Sequence, residues 1–213
     1  MTAGRRPPLA LAGALAALLG FGALAARVLH NPTPAVDLRL FRALYAGEWH
    51  GWPRPVATGD GPIRDVLPVL LRLSDERLAV AGTLVVALVL VLPGRRREAV
   101  FFGAAVAIAA SSSLLKDWLD RPSEWVVPPP DSFPSGHAMA SMAIAAALAA
   151  IARGTPLWWP AIVAGTAYVL LVATAAVGDG WHWPTDVLGG WLLALAWVLA
   201  LSTLLFPRRP RAG

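Results

Sequence analysis

The sequence has no cysteine, one lysine (Lys116), two tyrosines and three methionines, and only 15% of its 213 residues are charged. Without cysteine the chain can build neither a disulfide framework nor a thiolate metal site, and thiols say nothing of its redox compartment. A charge content well below the quarter usual in soluble domains excludes an ordinary cytosolic globule. The shortage of lysine leaves the net charge of +5 to arginine. Those arginines fall in short clusters between apolar runs and not on one interleaved basic face, which speaks for membrane topology and against a nucleic-acid partner.

What the sequence does have is apolar length: 57% of residues are hydrophobic and the mean hydropathy is +0.59. The runs are Leu9–Leu29, Leu78–Pro93, Ala99–Leu115, Ala138–Ala152, Leu157–Val177 and Val187–Phe206. At about 20 residues per span, six spans take about 120 residues and leave little beyond loops. The expectation is an all-α polytopic membrane protein, a six-transmembrane-helix bundle forming a single domain over residues 1–213. Residues 1–77 supply the first span and an outer-side loop, 78–206 the helical core and 207–213 a basic tail. The second and fourth runs are short and reach spanning length only with their flanks. Arg5 and Arg6 before the first run, with Ala23-Leu24-Ala25 near its end, also fit a cleaved signal peptide, although the apolar stretch exceeds a typical signal core.

Charge at the joints sets an orientation. If all six runs span, Arg95-Arg96-Arg97, Arg153 and the tail Arg208, Arg209 and Arg211 share a side with Arg5 and Arg6, which puts the termini in the cytoplasm. Arginine in place of lysine, with abundant Ala, Gly and Pro, points to a bacterial plasma (inner) membrane. The segment His30–Glu76 carries arginines offset by acids and two amphipathic stretches, Val36–Tyr45 and Ile63–Leu73, that either cap a site or lie on the bilayer. Trp158, Trp159, Trp181 and Trp183 lie at span ends and read as interfacial anchors.

Three polar clusters fall on the outer side. The first runs from Lys116 through Asp117 and Asp120 to Arg121-Pro122, where the third run ends. The second is Ser132-Phe133-Pro134-Ser135-Gly136-His137, where the fourth begins, and the third is Trp181-His182-Trp183-Pro184-Thr185-Asp186, where the sixth begins. Ser135 is a good N-cap. A helix start with unpaired N–H groups and a glycine that admits close approach forms an anion seat, the alternative being a capped helix beside an interfacial histidine. His182 and Asp186 are four apart and share a helix face, so the carboxylate can fix the imidazole tautomer and leave the other nitrogen free to attack. Otherwise Asp186 only favours the helix start. Lys116 and Arg121 are either snorkelling anchors or a phosphate clamp.

Lys116 with Arg121-Pro122, then Pro134-Ser135-Gly136-His137, then His182 and Asp186, in that order and at span ends, resembles the type 2 phosphatidic acid phosphatase (PAP2) superfamily, in its membrane lipid phosphatase branch. The resemblance covers residues 78 to 206. It implies a six-helix membrane bundle that hydrolyses lipid phosphate monoesters or polyprenyl pyrophosphates at the outer leaflet through a phosphohistidine, with no metal and no other cofactor. His182 would be the nucleophile, Asp186 its orienting partner and His137 the acid that protonates the leaving oxygen. Lys116, Arg121, Ser135 and the Gly136 amide would hold the phosphoryl oxygens. The expected partners are therefore a lipid phosphate or isoprenyl pyrophosphate substrate and membrane lipids. Protein partners, oligomeric state and the identity of the lipid leave no mark in the sequence.

Two departures stand out. The family's first motif has six residues between lysine and Arg-Pro where this chain has four, and the expected arginine position holds Ser123. The third motif opens with Ser-Arg where this chain has Ala175 and Ala176. Two extended residues displace Arg121 by about 7 Å, within reach of a long side chain, whereas nothing in sequence replaces an arginine at Ala176. These gaps leave two alternatives standing: a lipid phosphotransferase, in which an alcohol replaces water, and a catalytically weak phospholipid-binding membrane protein. A haloperoxidase, whose site resembles that of the same superfamily, is usually soluble and fits least. Asp179 reads as a loop residue, with ion pairing to Arg121 or recognition of a cationic headgroup as alternatives.

Overall fold

A computed structural model describes residues 9–44, 76–122, 131–178 and 180–205. Alanine and leucine dominate the apolar runs, and among the described helices proline enters only first turns, at Pro160 and Pro184, where its missing N–H costs nothing. The described residues form seven helices: α1 Leu9–His30, α2 Ala35–Leu44, α3 Glu76–Val91, α4 Arg96–Leu119, α5 Gly136–Ala152, α6 Trp158–Gly178 and α7 Pro184–Leu205. The all-helical expectation holds. The six-span expectation is met only in part: α1, α4, α6 and α7 are long and apolar enough to cross a membrane, while the apolar part of α3 and the whole of α5 are shorter. The amphipathic stretch at Ile63–Leu73 lies outside the described residues.

Helix α4 is not uniform. It tightens to a 3₁₀ turn over Ala107–Ser111 before resuming at Ser112, a short departure typical of such helices. Just before the tightening, the Ala104 carbonyl accepts a hydrogen bond from the Trp197 indole of α7 at 2.8 Å, which ties the two helices together. The helix ends at Asp120, whose φ of 45° is a left-handed cap of the kind that aspartate tolerates.

Helix α7 lies at the centre, with α1 along one side and α5 along another, and α6 packs on the far side of α5. Phe101, Phe102, Met139, Ala143 and Val198 fill the core between α4, α5 and α7. The outward faces are apolar too. Leu15, Leu18 and Leu19 on α1, Leu84, Val85, Leu88 and Val89 on α3, and Val163 and Leu170 on α6 are all exposed, apolar faces that suit hydrocarbon and not water.

One contact fixes the depth at which α5 and α7 meet. A Cβ on Gly190 would stand 2.6 Å from the Ser135 carbonyl oxygen and 3.2 Å from the Met139 nitrogen, so only glycine lets α7 lie against the start of α5. Gly190→Ala is expected to lower stability by about 1–3 kcal/mol, read as a lower melting temperature of detergent-solubilised protein. Gly82→Ala, on an open face of α3, should be neutral or stabilising by up to about 1 kcal/mol. Equal effects of the two substitutions would contradict the close approach.

Candidate active site

The site forms where α5 and α7 begin and α4 and α6 end. Pro184 opens α7 and Trp183 serves as its N-cap, so that Asp186 occupies the third helical position. From there the Asp186 Oδ2 reaches back to accept the Trp183 N–H at 2.7 Å, half of a capping box, while the Trp183 carbonyl accepts from the Asp186 N–H at 2.9 Å. The helix-start role of Asp186 is therefore real. It does not exhaust the residue, because the same oxygen stands 3.7 Å from the His182 Nδ1.

His182 is held by a loop closing the end of α6. The N–H groups of Trp181 and His182 both donate to the Ala176 carbonyl, at 3.1 and 3.2 Å. The ring is buried, and its Nδ1 lies 3.0 Å from the Ser132 carbonyl oxygen. A carbonyl can only accept, so Nδ1 carries the proton, and in the neutral ring Nε2 is the nitrogen with the lone pair. The tautomer expected of Asp186 is thus set at hydrogen-bond distance by the Ser132 backbone, with the carboxylate one step further away. The Ser132 hydroxyl, also buried, has no hydrogen-bond partner among the described residues.

The loop that supplies this carbonyl is fastened from several sides. Phe133 stacks on Phe21 of α1 with centroids 5.7 Å apart, and the Ser135 N–H donates to the Asp186 carbonyl at 3.0 Å. The Ser135 Oγ accepts from the Ala138 N–H at 3.3 Å and so caps α5. A Cβ on Gly136 would come within 2.8 Å of the Ser112 Oγ, which brings the first turn of α5 against α4. His137 follows, half-buried, with its ring edge-on to His182 and centroids 6.1 Å apart. Lys116, in the last turn of α4, is half-buried and within electrostatic reach of both Asp186 and Asp131. A hydrogen bond with Asp120, then burial and the negative charges of Asp120 and Asp117, hold the Asp131 carboxyl above its ordinary value of 3.8, against the pull of Lys116.

Arg121 is elsewhere than a phosphate clamp requires. Its side chain is fully buried and all five of its N–H donors are taken. Nε and Nη2 both donate to the Pro32 carbonyl, Nη2 also to the Asp37 Oδ2 at 2.9 Å, and Nη1 to the Thr185 Oγ1 at 2.9 Å and to the Asp186 Oδ1. The guanidinium was expected at the phosphoryl oxygens as a stand-in for the arginine that the family's first motif has at the position of Ser123. In the fold it points to two carboxylates, and no N–H donor is left over for a phosphoryl oxygen.

Sequence reading missed Asp37 altogether. It sits on α2 with its carboxylate buried, accepting from the Thr185 N–H at 2.9 Å and the Thr185 hydroxyl at 2.6 Å. Burial pushes the Asp37 carboxyl above its ordinary 3.8, and the hydrogen bonds from Thr185 and Arg121 oppose that rise. The only signal available was an acid in the first turn of an amphipathic stretch. Trp183 also departs from expectation: it is 1% exposed, tilted against Phe41 at 5.0 Å with the Arg121 guanidinium 5.9 Å from its ring, and so it is a core residue and no membrane anchor. Trp159 and Trp181 are exposed. Ala175 and Ala176 are fully buried, and Ser123 and Asp179 lie outside the described residues. Among the described residues no group of three or more His, Asp or Glu side chains is disposed to hold a metal ion.

Residues 115–210 match the family model of the PAP2 superfamily. The fold is similar to the crystal structure of a transmembrane PAP2-type phosphatidylglycerolphosphate phosphatase from Bacillus subtilis, with a TM-score of 0.73 over 90% of this chain and 94% of that one. The two sequences are 19% identical, a likeness of fold. No curated protein matches the chain by sequence.

The geometry of Arg121 can be checked directly. Arg121→Met leaves two buried carboxylates without their counter-charge and is expected to cost about 3–5 kcal/mol, seen as loss of the folded, monodisperse protein in detergent. A change below about 1 kcal/mol, the worth of an exposed charge, would show that the side chain is not held as described.

Proposed function

We propose, from the match of residues 115–210 to the PAP2 superfamily model, that the chain is an integral membrane phosphatase acting on lipid phosphate monoesters or polyprenyl pyrophosphates. The reaction proceeds through a phosphohistidine on His182, without metal, at the outer leaflet of a bacterial plasma membrane. The phosphatase fold of the structural neighbour supports the reaction class. The observation that carries the reading is the His182 ring: a buried imidazole whose Nδ1 faces the Ser132 carbonyl at 3.0 Å, with a second histidine ring beside it.

The chemistry follows from those positions. Nε2 of His182 attacks phosphorus in line with the leaving oxygen, forming a P–N bond as the P–O bond breaks, and His137 donates the proton that the leaving oxygen takes. The ring becomes cationic as it bonds to phosphorus. Nδ1–H then presses its proton on the Ser132 carbonyl, and the Asp186 carboxylate at 3.7 Å stabilises the charge. Lys116 and the Gly136 N–H at the positive start of α5 take up the charge on the phosphoryl oxygens, with the capping Ser135 holding that turn in place. Water enters where the alcohol left, gives its proton to His137, and releases phosphate from His182.

A weaker cradle favours a second reading. Arg121 is engaged by carboxylates, and the buried Ala176 carries no cation. Losing one preorganised donor costs on the order of 3 kcal/mol in the transition state, at least a hundredfold in rate, so a lipid-binding protein with slow turnover fits the same site. A phosphate-release screen over phosphatidate, phosphatidylglycerol phosphate and isoprenyl pyrophosphates separates the two, since turnover above about 1 per second favours the enzyme.

His182→Ala is expected to abolish phosphate release, and unaltered turnover would sink the nucleophile assignment. His137→Ala should slow release from lipid substrates by about 10²–10⁴-fold. The loss should shrink with p-nitrophenyl phosphate, whose leaving group departs without a proton. An equal loss on both substrates would remove His137 as the acid.

A further inference from the structure

Asp37 lies outside the residues that match the family model, on a helix of ten residues, yet its carboxylate is buried against the first turn of α7. Its two oxygens divide the work. Oδ1 accepts the Thr185 N–H, one of the N–H groups that a helix start leaves unpaired, while Oδ2 accepts the Thr185 hydroxyl and the Arg121 Nη2. Arg121 then spends Nη1 on Thr185 and on the Asp186 Oδ1. Two carboxylates therefore share one guanidinium, and Asp186, only partly neutralised, keeps its second oxygen beside the Trp183 N–H and the His182 ring.

We propose that Asp37 is a positioning residue of the phosphoryl-transfer site: through Arg121 and Thr185 it fixes the Asp186 carboxylate against His182 and preserves its negative charge there. The helix ahead of the PAP2 core is thereby part of the catalytic apparatus. The inference rests on the phosphatase reading. Removing Asp37 leaves the whole guanidinium to Asp186, which screens that carboxylate from the imidazole. The cationic phosphohistidine is then less stabilised.

The groups facing His182 are Asp186 from α7 and His137 and the Ser132 carbonyl from the approach to α5, while Arg121 with Asp37 stands behind Asp186 and Lys116 of α4 acts on Asp186 electrostatically. Loss of one negative charge from this set disfavours positive charge at the reacting ring, and because attack needs a free lone pair, the acid limb of the kcat/KM profile moves to lower pH.

Asp37→Asn is the variant of choice, because it keeps the shape of the side chain and burial already favours an uncharged group at this position. With phosphatidate, phosphatidylglycerol phosphate or isoprenyl pyrophosphate in detergent micelles, it should reduce kcat by tenfold or more. KM should change less than threefold, and the acid limb should move down by at least 0.3 pH units. Phe41→Leu, which loosens the same helix on Trp183 without touching a charge, should leave the limb where it is. Wild-type kcat with an unmoved limb in Asp37→Asn overturns the proposal. So does a loss of rate with the limb unmoved, since a merely structural role predicts that pattern. If Asp37→Asn does not accumulate as folded protein, Asp37→Glu decides: lower kcat at unchanged KM supports positioning, and wild-type kcat overturns it. Wild-type protein that releases no phosphate from any of these substrates overturns the phosphatase reading instead.

Discussion

A buried guanidinium between two carboxylates organises this protein. Arg121 joins Asp37 and Asp186 across 84 and 65 residues of chain, and its remaining donors hold Thr185 and the Pro32 carbonyl. Charges taken out of water are tolerated only when every donor and acceptor is met, and here the accounting closes: five N–H groups find acceptors and all four carboxylate oxygens are engaged. The junction between α1 and α2, the end of α4 and the start of α7 are consequently locked at one point. Ser132, Ser135 and His182 are placed from that point outward.

This arrangement divides labour between two sides of α7's first turn. One side carries the ionic network and is closed. The other carries His182 and His137, with Lys116 in electrostatic reach, around the starts of two helices. Asp186 belongs to both, capping its own helix with one oxygen, binding Arg121 with the other, and lending charge to the imidazole. A single carboxylate thus couples the stability of the helix start to the electrostatics of the ring. Sequence alone showed the His182–Asp186 spacing but not that the carbonyl of Ser132 is nearer to Nδ1 than the carboxylate is.

The helices were legible because long apolar runs rich in alanine and leucine leave the backbone little choice, and the starts of α5 and α7 were legible from Ser135 and Pro184. The span count was not, since α3 and α5 fall short of a bilayer's thickness and run length does not say how a short helix is accommodated. Arg121 misled for a physical reason: its place two residues from the motif arginine's position suggested proximity to phosphate, while its partner Asp37 lies far upstream and pairing over such distances leaves no local pattern. Trp183 looked like an anchor because it borders a span, and only packing against Phe41 puts it inside. A backbone acceptor such as the Ser132 carbonyl has no side-chain signature to read.

The central claim is that His182, in the tautomer set by Ser132, carries the phosphoryl group. The most direct measurement is rapid acid-free quenching of the purified protein during turnover, followed by mass spectrometric location of bound phosphate. The account predicts an alkali-stable, acid-labile phosphate on His182. Turnover with no phosphorylated protein, or phosphate on any other residue, would contradict it.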